Sequence, residues 1–121
     1  MLKKYLCALT LALLALNTQA SELRIEAYKA PFHVGKIVMA CGVLKQISSG
    51  SRQVYLNLDN TYPNQTLTLL IWNTDISAFN QRFGNLNQYL NKKLCARGTI
   101  KPYKNTLQIN IVNPQFLRVM E

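Results

Sequence analysis

Acidic residues and histidine are scarce in this 121-residue sequence, which contains five Asp and Glu residues and one histidine. General acid–base catalysis needs positioned titratable groups, and metal centres need clustered carboxylate, imidazole or thiolate ligands. Between residues 35 and 113 the only carboxylates are Asp59 and Asp75, both in segments typical of turns or helix starts. Nucleophile-elbow, phosphate-loop and zinc motifs are also absent from the sequence. We therefore expect a binding protein rather than an enzyme, without cofactor or metal.

Long hydrophobic runs are absent too. The longest, Leu6–Leu16, is interrupted only by Thr10 and is too short to span a bilayer as a helix. Two lysines precede this run and small residues follow it as far as Ala20, which is the pattern of a secretory signal peptide. We predict cleavage after Ala20, with an uncleaved anchor as the less favoured alternative. Removal of 20 of the 121 residues leaves 101, enough for one domain.

Cysteine is limited to three residues, and Cys7 lies within the predicted signal peptide. Cys41 and Cys95 remain in a chain that we expect in the periplasm or outside the cell, where disulfides form. A metal site or a reactive thiol is a weaker alternative, because two cysteines and one histidine cannot complete a tetrahedral zinc shell. A disulfide closing this loop would stabilise the fold by about 4 kcal/mol in the chain-entropy model.

Positive charge, in contrast, is abundant. The sequence contains 14 Lys and Arg residues, and 12 remain against five acidic residues once Lys3 and Lys4 are removed, a net charge of +7. A basic surface on a secreted domain suits polyanions such as nucleic acid, acidic glycans or anionic lipid head groups. Solubility alone is the competing interpretation of this charge.

The segment Gly35–Lys45 is apolar on both alternating faces, which predicts a strand covered on both sides. Gly42 within it predicts a bend, since glycine in a strand marks a bulge or a close backbone approach. A similar pattern returns in Leu94–Lys101, where a cysteine again lies shortly before a glycine, Gly98. In both segments the glycine is followed by one variable residue, an aliphatic residue and a lysine. The two segments therefore predict a pair of bent strands that close a small barrel.

The remaining pattern predicts three further strands and one helix. Residues Ser21–His33 are expected to form a short edge strand or an ordered arm. Apolar spacings of three and four predict a helix that begins at a cap on Thr74 or Asp75 and continues toward Leu90, with Gly84 weakening its second half. The further strands are expected at Val54–Leu58, Thr66–Trp72 and Thr106–Val112, and the second bent strand spans Lys93–Lys101. Turns are expected at Gln46–Gln53, Asp59–Gln65 and Pro102–Asn105.

Several of these segments carry a family resemblance. The runs Cys41-Gly42-Val43, Tyr55-Leu56-Asn57-Leu58, Tyr62-Pro63-Asn64-Gln65, Ile71-Trp72 and Cys95-Ala96-Arg97-Gly98 resemble small secreted bacterial OB-fold domains of the nucleic-acid-binding, tRNA-anticodon-binding-like type. The resemblance implies a mainly β, five-stranded Greek-key barrel with one helix between strands three and four. It also implies that the first and fourth strands are antiparallel neighbours, as a Cys41–Cys95 bridge requires. The expected organisation is a signal peptide at 1–20, an N-terminal arm at 21–34 and the OB-fold domain at 35–121.

The resemblance also implies a binding surface. OB-folds bind single strands on the face of strands two and three, between the loops that follow strands one and four. The residues expected to contact nucleic acid are Lys45 and Arg52 in the first loop, Tyr55 on strand two, Tyr62 in the next turn, Arg97 on strand four, and Lys101, Tyr103 and Lys104 in the loop after it. Trp72 is interpreted as a packing residue.

The expected function is non-specific binding of single-stranded nucleic acid by a monomeric module that is periplasmic or secreted. Basic side chains would contact phosphates while aromatic rings stack on bases. Two alternatives remain open at this point: a protein-interaction or envelope-stress module that binds another envelope protein, and a domain that binds acidic glycans or lipid head groups.

Overall fold

The computed structural model describes residues 22–120, so the predicted signal peptide lies outside the described residues. Within that range no helix is long and apolar enough to cross a membrane. In the described residues, seven strands and one α-helix are joined by three short 3₁₀ segments at Ala27–His33, Leu86–Tyr89 and Pro114–Phe116. The strands are β1 (Arg24–Glu26), β2 (Ile37–Ser49), β3 (Gln53–Leu58), β4 (Leu67–Trp72), β5 (Lys93–Tyr103), β6 (Thr106–Asn110) and β7 (Leu117–Met120), and the helix is α1 (Asn73–Phe83).

Five of the strands close into a ring. Strand β2 pairs with β3, β3 with β4, β4 with β6, β6 with β5, and β5 again with β2. All pairs are antiparallel except β4 with β6. This is the Greek-key barrel expected of an OB-fold, with the helix following its third strand, so the predicted fold class is confirmed. Two strands lie outside the ring: β1 pairs in parallel with β2, as an edge strand, and β7 pairs with β5. Strand β7 was not predicted.

The pairing of β2 with β5 closes the barrel. Residues Ile37–Val43 lie opposite Lys93–Thr99, and Cys41 faces Cys95 directly with Cα atoms 4.0 Å apart. The two sulfur atoms are bonded, which confirms the predicted disulfide. The bridge does not belong to the barrel core. It packs in a separate small cluster with Met39 and Met120 on the outer face of the sheet.

The two glycines of the repeated pattern lie at equivalent corners. Strand β2 leaves β5 after Val43 and joins β3 from Leu44, two residues after Gly42. Strand β5 leaves β2 after Thr99 and joins β6 from Ile100, two residues after Gly98. A Cβ atom on Gly98 would lie 2.5 Å from Cγ2 of Ile109, and one on Gly42 would lie 3.1 Å from Cβ of Leu58. The pattern therefore marks where each strand changes partner. The register irregularity itself falls between Leu44 and Gln46 rather than at Gly42.

The barrel is filled from the alternating inner faces of its strands. Strand β3 contributes Leu56 and Leu58, and β4 contributes Leu67, Leu69 and Ile71, all fully buried. Helix α1 adds Phe79 to the same core cluster. A helix with one apolar face covers an open end of a barrel because it buries that face against the exposed core.

The start of helix α1 differs from the prediction. The helix begins at Asn73, immediately after strand β4, and its N-cap position is Trp72 without a side-chain cap. The expected caps at Thr74 and Asp75 are wrong because the chain turns from strand to helix with no linker. The end is closer to expectation: Gly84 follows the helix with a φ of 73°, which glycine adopts readily.

Three strand boundaries also differ. Strand β2 continues to Ser49 because Gln46–Ser49 pairs with β3, which overrides the turn-forming tendency of its residues. Strand β5 continues to Tyr103 and β6 ends at Asn110, earlier than predicted. Lys45, Lys101 and Tyr103 therefore lie in strands rather than in the loops where they were expected.

The corner at Gly98 yields a first prediction. A Gly98→Ala substitution forces the new methyl group against Ile109, so we expect it to lower the free energy of unfolding by about 1–3 kcal/mol. Gly50→Ala is the matched control, because a Cβ there lies no closer than 3.5 Å to any neighbour. Urea unfolding should leave the control within about 0.5 kcal/mol of the native protein. Equal stability of the two variants would contradict this account of the corner.

Candidate functional site

A groove runs over the outer face of the barrel across β3, β4 and β6. It encloses about 560 Å³ between the loop that follows β3 and the turn that joins β5 to β6. Residues of four kinds line it: tyrosines, uncharged polar residues, one proline and one lysine. They are Ser48, Tyr55, Asn57, Tyr62, Pro63, Gln65, Thr68, Tyr103, Lys104, Asn105, Thr106 and Gln108. Among these lining residues there is no carboxylate, histidine or thiol.

Strand alternation explains why these side chains share one face. Leu56 and Leu58 point into the core, so Tyr55 and Asn57 point outward. Pairing places Asn57 beside Thr68, and Thr68 beside Gln108 on β6. The groove floor is therefore a row of polar side chains across three adjacent strands.

A hydrogen-bonded chain of side chains holds this floor together. The Gln65 amide donates to the Thr68 hydroxyl at 3.0 Å, and that hydroxyl donates to Oδ1 of Asn57 at 2.8 Å. Nδ2 of Asn57 then donates to Oε1 of Gln46 at 2.8 Å, which also accepts the backbone N–H of Tyr62. Asn57 and Thr68 are almost fully buried at 3% and 5% exposure. The chain thus ties the loop carrying Tyr62 to the sheet.

Aromatic rings are distributed along the groove. Tyr62 and Tyr103 are widely exposed, at 67% and 52%, on the loop after β3 and at the end of β5. Tyr55 is half-buried, lies directly opposite Leu70 on β4, and has its hydroxyl hydrogen-bonded by the Gln53 amide. The protein therefore presents one ring on each side of the groove and one on its floor.

Positive charge lies at one side of the groove. Lys104 occupies the turn after β5 with a φ of 52°, and its Nζ lies 5.4 Å from the centre of the Tyr103 ring. Lys101 pairs with Gln108, so its side chain leaves the sheet on the same face as that groove residue. Both lysines are exposed. The groove therefore has a cationic edge.

A shallow depression continues the same outer face at the other end of β4. Ser51, Arg52, Trp72, Asn73 and Thr74 line it. Trp72 is 38% exposed and pairs with Gln53, which places it on the outward face with Tyr55. Contrary to the interpretation of Trp72 as a packing residue, its ring is partly accessible to solvent beside Arg52.

The structure brings together only part of the predicted residue set. Tyr55, Tyr62, Tyr103 and Lys104 line one groove, with Lys101 at its border and Arg52 in the adjoining depression. Lys45 lies elsewhere and donates from Nζ to Oδ1 of Asn91 at 3.1 Å. Arg97 lies on the other side of the barrel, paired with Glu22.

Sequence reasoning missed the polar floor. Thr68 and Gln108 carry no motif, and Thr68 lies in the apolar run TLTLLIW, where strand alternation is obscured. Trp72 was assigned to packing because it ends that strand beside the expected helix cap. A stricter use of period-two alternation from Leu67 would have placed Thr68, Leu70 and Trp72 on one outward face.

Comparison with known proteins supports the fold. No protein-family model and no curated protein matches the sequence. Among solved structures, a chain of the S. pombe Stn1–Ten1 complex is 13% identical with a TM-score of 0.53, over 70% of this chain and 58% of that one. A putative aspartyl-tRNA synthetase from Leishmania major Friedlin is 9% identical with a TM-score of 0.57, over 86% of this chain and 22% of that one.

An OBody bound to hen egg-white lysozyme is 8% identical with a TM-score of 0.59, over 86% of this chain and 99% of that one. This protein therefore spans most of the OBody's length but only part of the other two chains. Together with the ring of five strands, these similarities show that the chain has an OB-fold.

The polar floor yields a second prediction. Thr68→Val keeps the side-chain shape but removes the hydroxyl, leaving Oδ1 of Asn57 and the Gln65 amide without this partner. We expect the free energy of unfolding to fall by about 1–3 kcal/mol, the typical cost of buried unpaired polar groups. Thr61→Val is a matched control at an exposed position of the loop after β3. Urea unfolding with the same midpoint for both variants would show that the hydrogen-bonded chain contributes nothing.

Proposed function

We propose that this protein binds single-stranded nucleic acid in the groove across β3, β4 and β6. The observation that carries the proposal is the combination of Tyr55, Tyr62 and Tyr103 with a lysine edge in a groove lined by no carboxylate. Rings stack on bases of any identity, and lysines contact phosphates. The module binds its ligand rather than transforming it, since neither histidine nor a carboxylate, the commonest general acids and bases, lines the groove.

The aromatic residues suggest a path for the strand. Trp72 and Tyr55 are diagonal neighbours on one face, about 7–8 Å apart in the typical geometry of such pairs. Tyr62 and Tyr103 continue the series at the far end of the groove. The bound strand passes from the Arg52 depression over Tyr55 and leaves between Tyr62 and Lys104, with bases on the rings. Each stacked base contributes about 1–3 kcal/mol.

Electrostatics determine the expected salt dependence. Arg52, Lys101 and Lys104 are the cations nearest to this path, so about three phosphates are contacted. Counterion release then gives a slope of roughly −2 in the logarithm of affinity against the logarithm of salt concentration. Sequence preference is weak, because stacking and phosphate contacts distinguish bases poorly.

The proposal extends to the location and division of the chain. Residues 1–20 act as a cleaved signal peptide, 21–34 form an arm, and 35–121 form the binding domain, which acts as a monomer. A periplasmic or secreted location agrees with the Cys41–Cys95 disulfide, since such bonds persist in oxidising compartments.

Fluorescence anisotropy with labelled oligothymidine tests this proposal. Tyr103→Ala and Tyr55→Ala each remove one stacking ring, and we expect each to weaken binding by roughly fivefold to a hundredfold. Tyr28→Ala is the matched control, because Tyr28 is 59% exposed but belongs to the 3₁₀ segment after β1 and does not line the groove. Its affinity should equal that of the native protein.

A paired charge experiment separates contact from net charge. Lys101→Gln with Lys104→Gln should reduce the magnitude of the salt slope by about 1.4, the value for two phosphate contacts to a single strand. Lys29→Gln with Lys92→Gln removes the same charge at exposed positions outside the groove and should leave the slope nearly unchanged. Absence of binding at low salt would refute nucleic-acid binding and favour a protein partner. Equal slopes for the two double variants would refute the groove as the binding site.

A further inference from the structure

A second basic surface lies on the other side of the barrel. There the outer face of β1, β2, β5 and β7 forms a four-stranded sheet around the barrel-closing pair. A depression of about 460 Å³ on this face is lined by Arg82, Arg97 and Arg118, together with Glu22, Met39 and Phe116. None of these residues lines the groove across β3, β4 and β6, which we call the tyrosine groove.

Three different elements supply the arginines. Arg82 lies in the last turn of α1, Arg97 in β5 and Arg118 in β7. Arg118 pairs with Cys95, and Arg97 follows Cys95 by two residues on the same face. Arg97 and Arg118 are therefore diagonal neighbours, about 7–8 Å apart in typical sheet geometry.

The floor beneath these arginines is apolar and contains the disulfide. Cys41 and Cys95 are covalently joined and at most 1% exposed, and Met39 beside them is 8% exposed. Guanidinium groups above an apolar, covalently fixed floor interact with an anion in a lower effective dielectric than they would in free solution. The floor therefore strengthens any charge interaction made above it.

The charges of the depression are incompletely balanced. Nε of Arg97 pairs with Oε1 of Glu22, and its guanidinium lies 5.6 Å from the Phe116 ring centre. Within residues 22–120, Arg82 and Arg118 form no ion pair. The carboxylate that lines the depression belongs to Glu22, whose side chain is 40% exposed and lies at the beginning of the described residues. Its contact with Arg97 shows how an anion binds to this surface.

We propose that this depression binds a phosphate group, either a phosphomonoester or inorganic phosphate, and that Glu22 competes with it for Arg97. Guanidinium groups from three different elements can share the oxygens of a tetrahedral dianion, because each fork can donate two parallel hydrogen bonds. Within residues 22–120 a single carboxylate pairs with one of these arginines, and the other two form no ion pair. The site shares no residue with the groove, so either proposal can fail alone.

Arginine-selective NMR of the full processed chain, with its disulfide intact, tests the site directly. Titration with inorganic phosphate at constant ionic strength should shift the Nε–Hε signals of Arg82, Arg97 and Arg118 saturably, while those of Arg24 and Arg52 stay constant. Arg118→Gln and Arg82→Gln should each weaken phosphate binding roughly tenfold, the effect of losing one charge-assisted contact. Glu22→Gln should strengthen it severalfold, which a merely structural role for Glu22 would not produce.

Arg24→Gln is the matched control on the same face, since Arg24 pairs with Met39 but does not line the depression. It should bind phosphate as the native protein does, and every variant must keep the native amide spectrum. Uniform or non-saturating shifts, or unchanged affinity in both Arg118→Gln and Arg82→Gln, would overturn the proposal.

Two further arms identify the source of the phosphate. A 5′-phosphorylated dinucleotide that binds more tightly than its 5′-hydroxyl form, in an Arg118-dependent manner, indicates a nucleic-acid terminus. Arg118-dependent sedimentation with phosphatidic acid vesicles, and not with phosphatidylcholine vesicles, indicates a lipid head group. Inorganic phosphate binding with neither effect indicates the free anion.

Discussion

The pairing of β2 with β5 is the constraint on which the rest of this structure depends. These strands are distant in sequence, with Cys41 and Cys95 separated by 54 positions, so their contact carries a large loop-closure entropy. The disulfide reduces that cost by restricting the unfolded chain. Beyond their paired region, β2 pairs with β3 and β5 pairs with β6. The β2–β5 pairing therefore determines where the outer face of the barrel lies.

The two glycine corners convert this pairing into a closed barrel. Each strand contributes its first half to the disulfide-bonded pair and its second half to a different neighbour. One protein surface thus carries the tyrosine groove, and the opposite one carries the disulfide and the arginines around it. Two chemically different basic surfaces arise from one strand pair: one combines aromatic rings with lysine, the other arginine with a covalently fixed floor.

Much of the fold could be predicted from the sequence, because strong local signals agree with one another. The repeated cysteine and glycine pattern predicts the barrel-closing pair, and alternation in β3 separates the buried Leu56 from the outward Tyr55. Strand β7 escaped prediction because LRVM is only four residues long and gains its structure from pairing with β5. Gln46–Ser49 likewise has the composition of a turn, and it forms a strand because it pairs with β3.

The candidate sites were less predictable, since they depend on which residues the barrel brings together. Tyrosines and lysines of the groove could be named from an expected OB-fold, but the floor of Asn57, Thr68 and Gln65 arises from strand register. Arg97 was expected beside the nucleic acid because it lies on the correct strand. Its half of β5 faces the other side, since the strand changes partner after Thr99.

The most direct test of the account is a non-reducing peptide map of the protein expressed in an oxidising compartment. Trypsin cleavage after Lys36, Lys45, Lys93 and Arg97 places the two cysteines in separate short peptides, 37–45 and 94–97. The account predicts that these peptides are recovered as one disulfide-linked species that separates on reduction. Recovery of both peptides with free thiols would contradict the barrel closure on which both proposed surfaces depend.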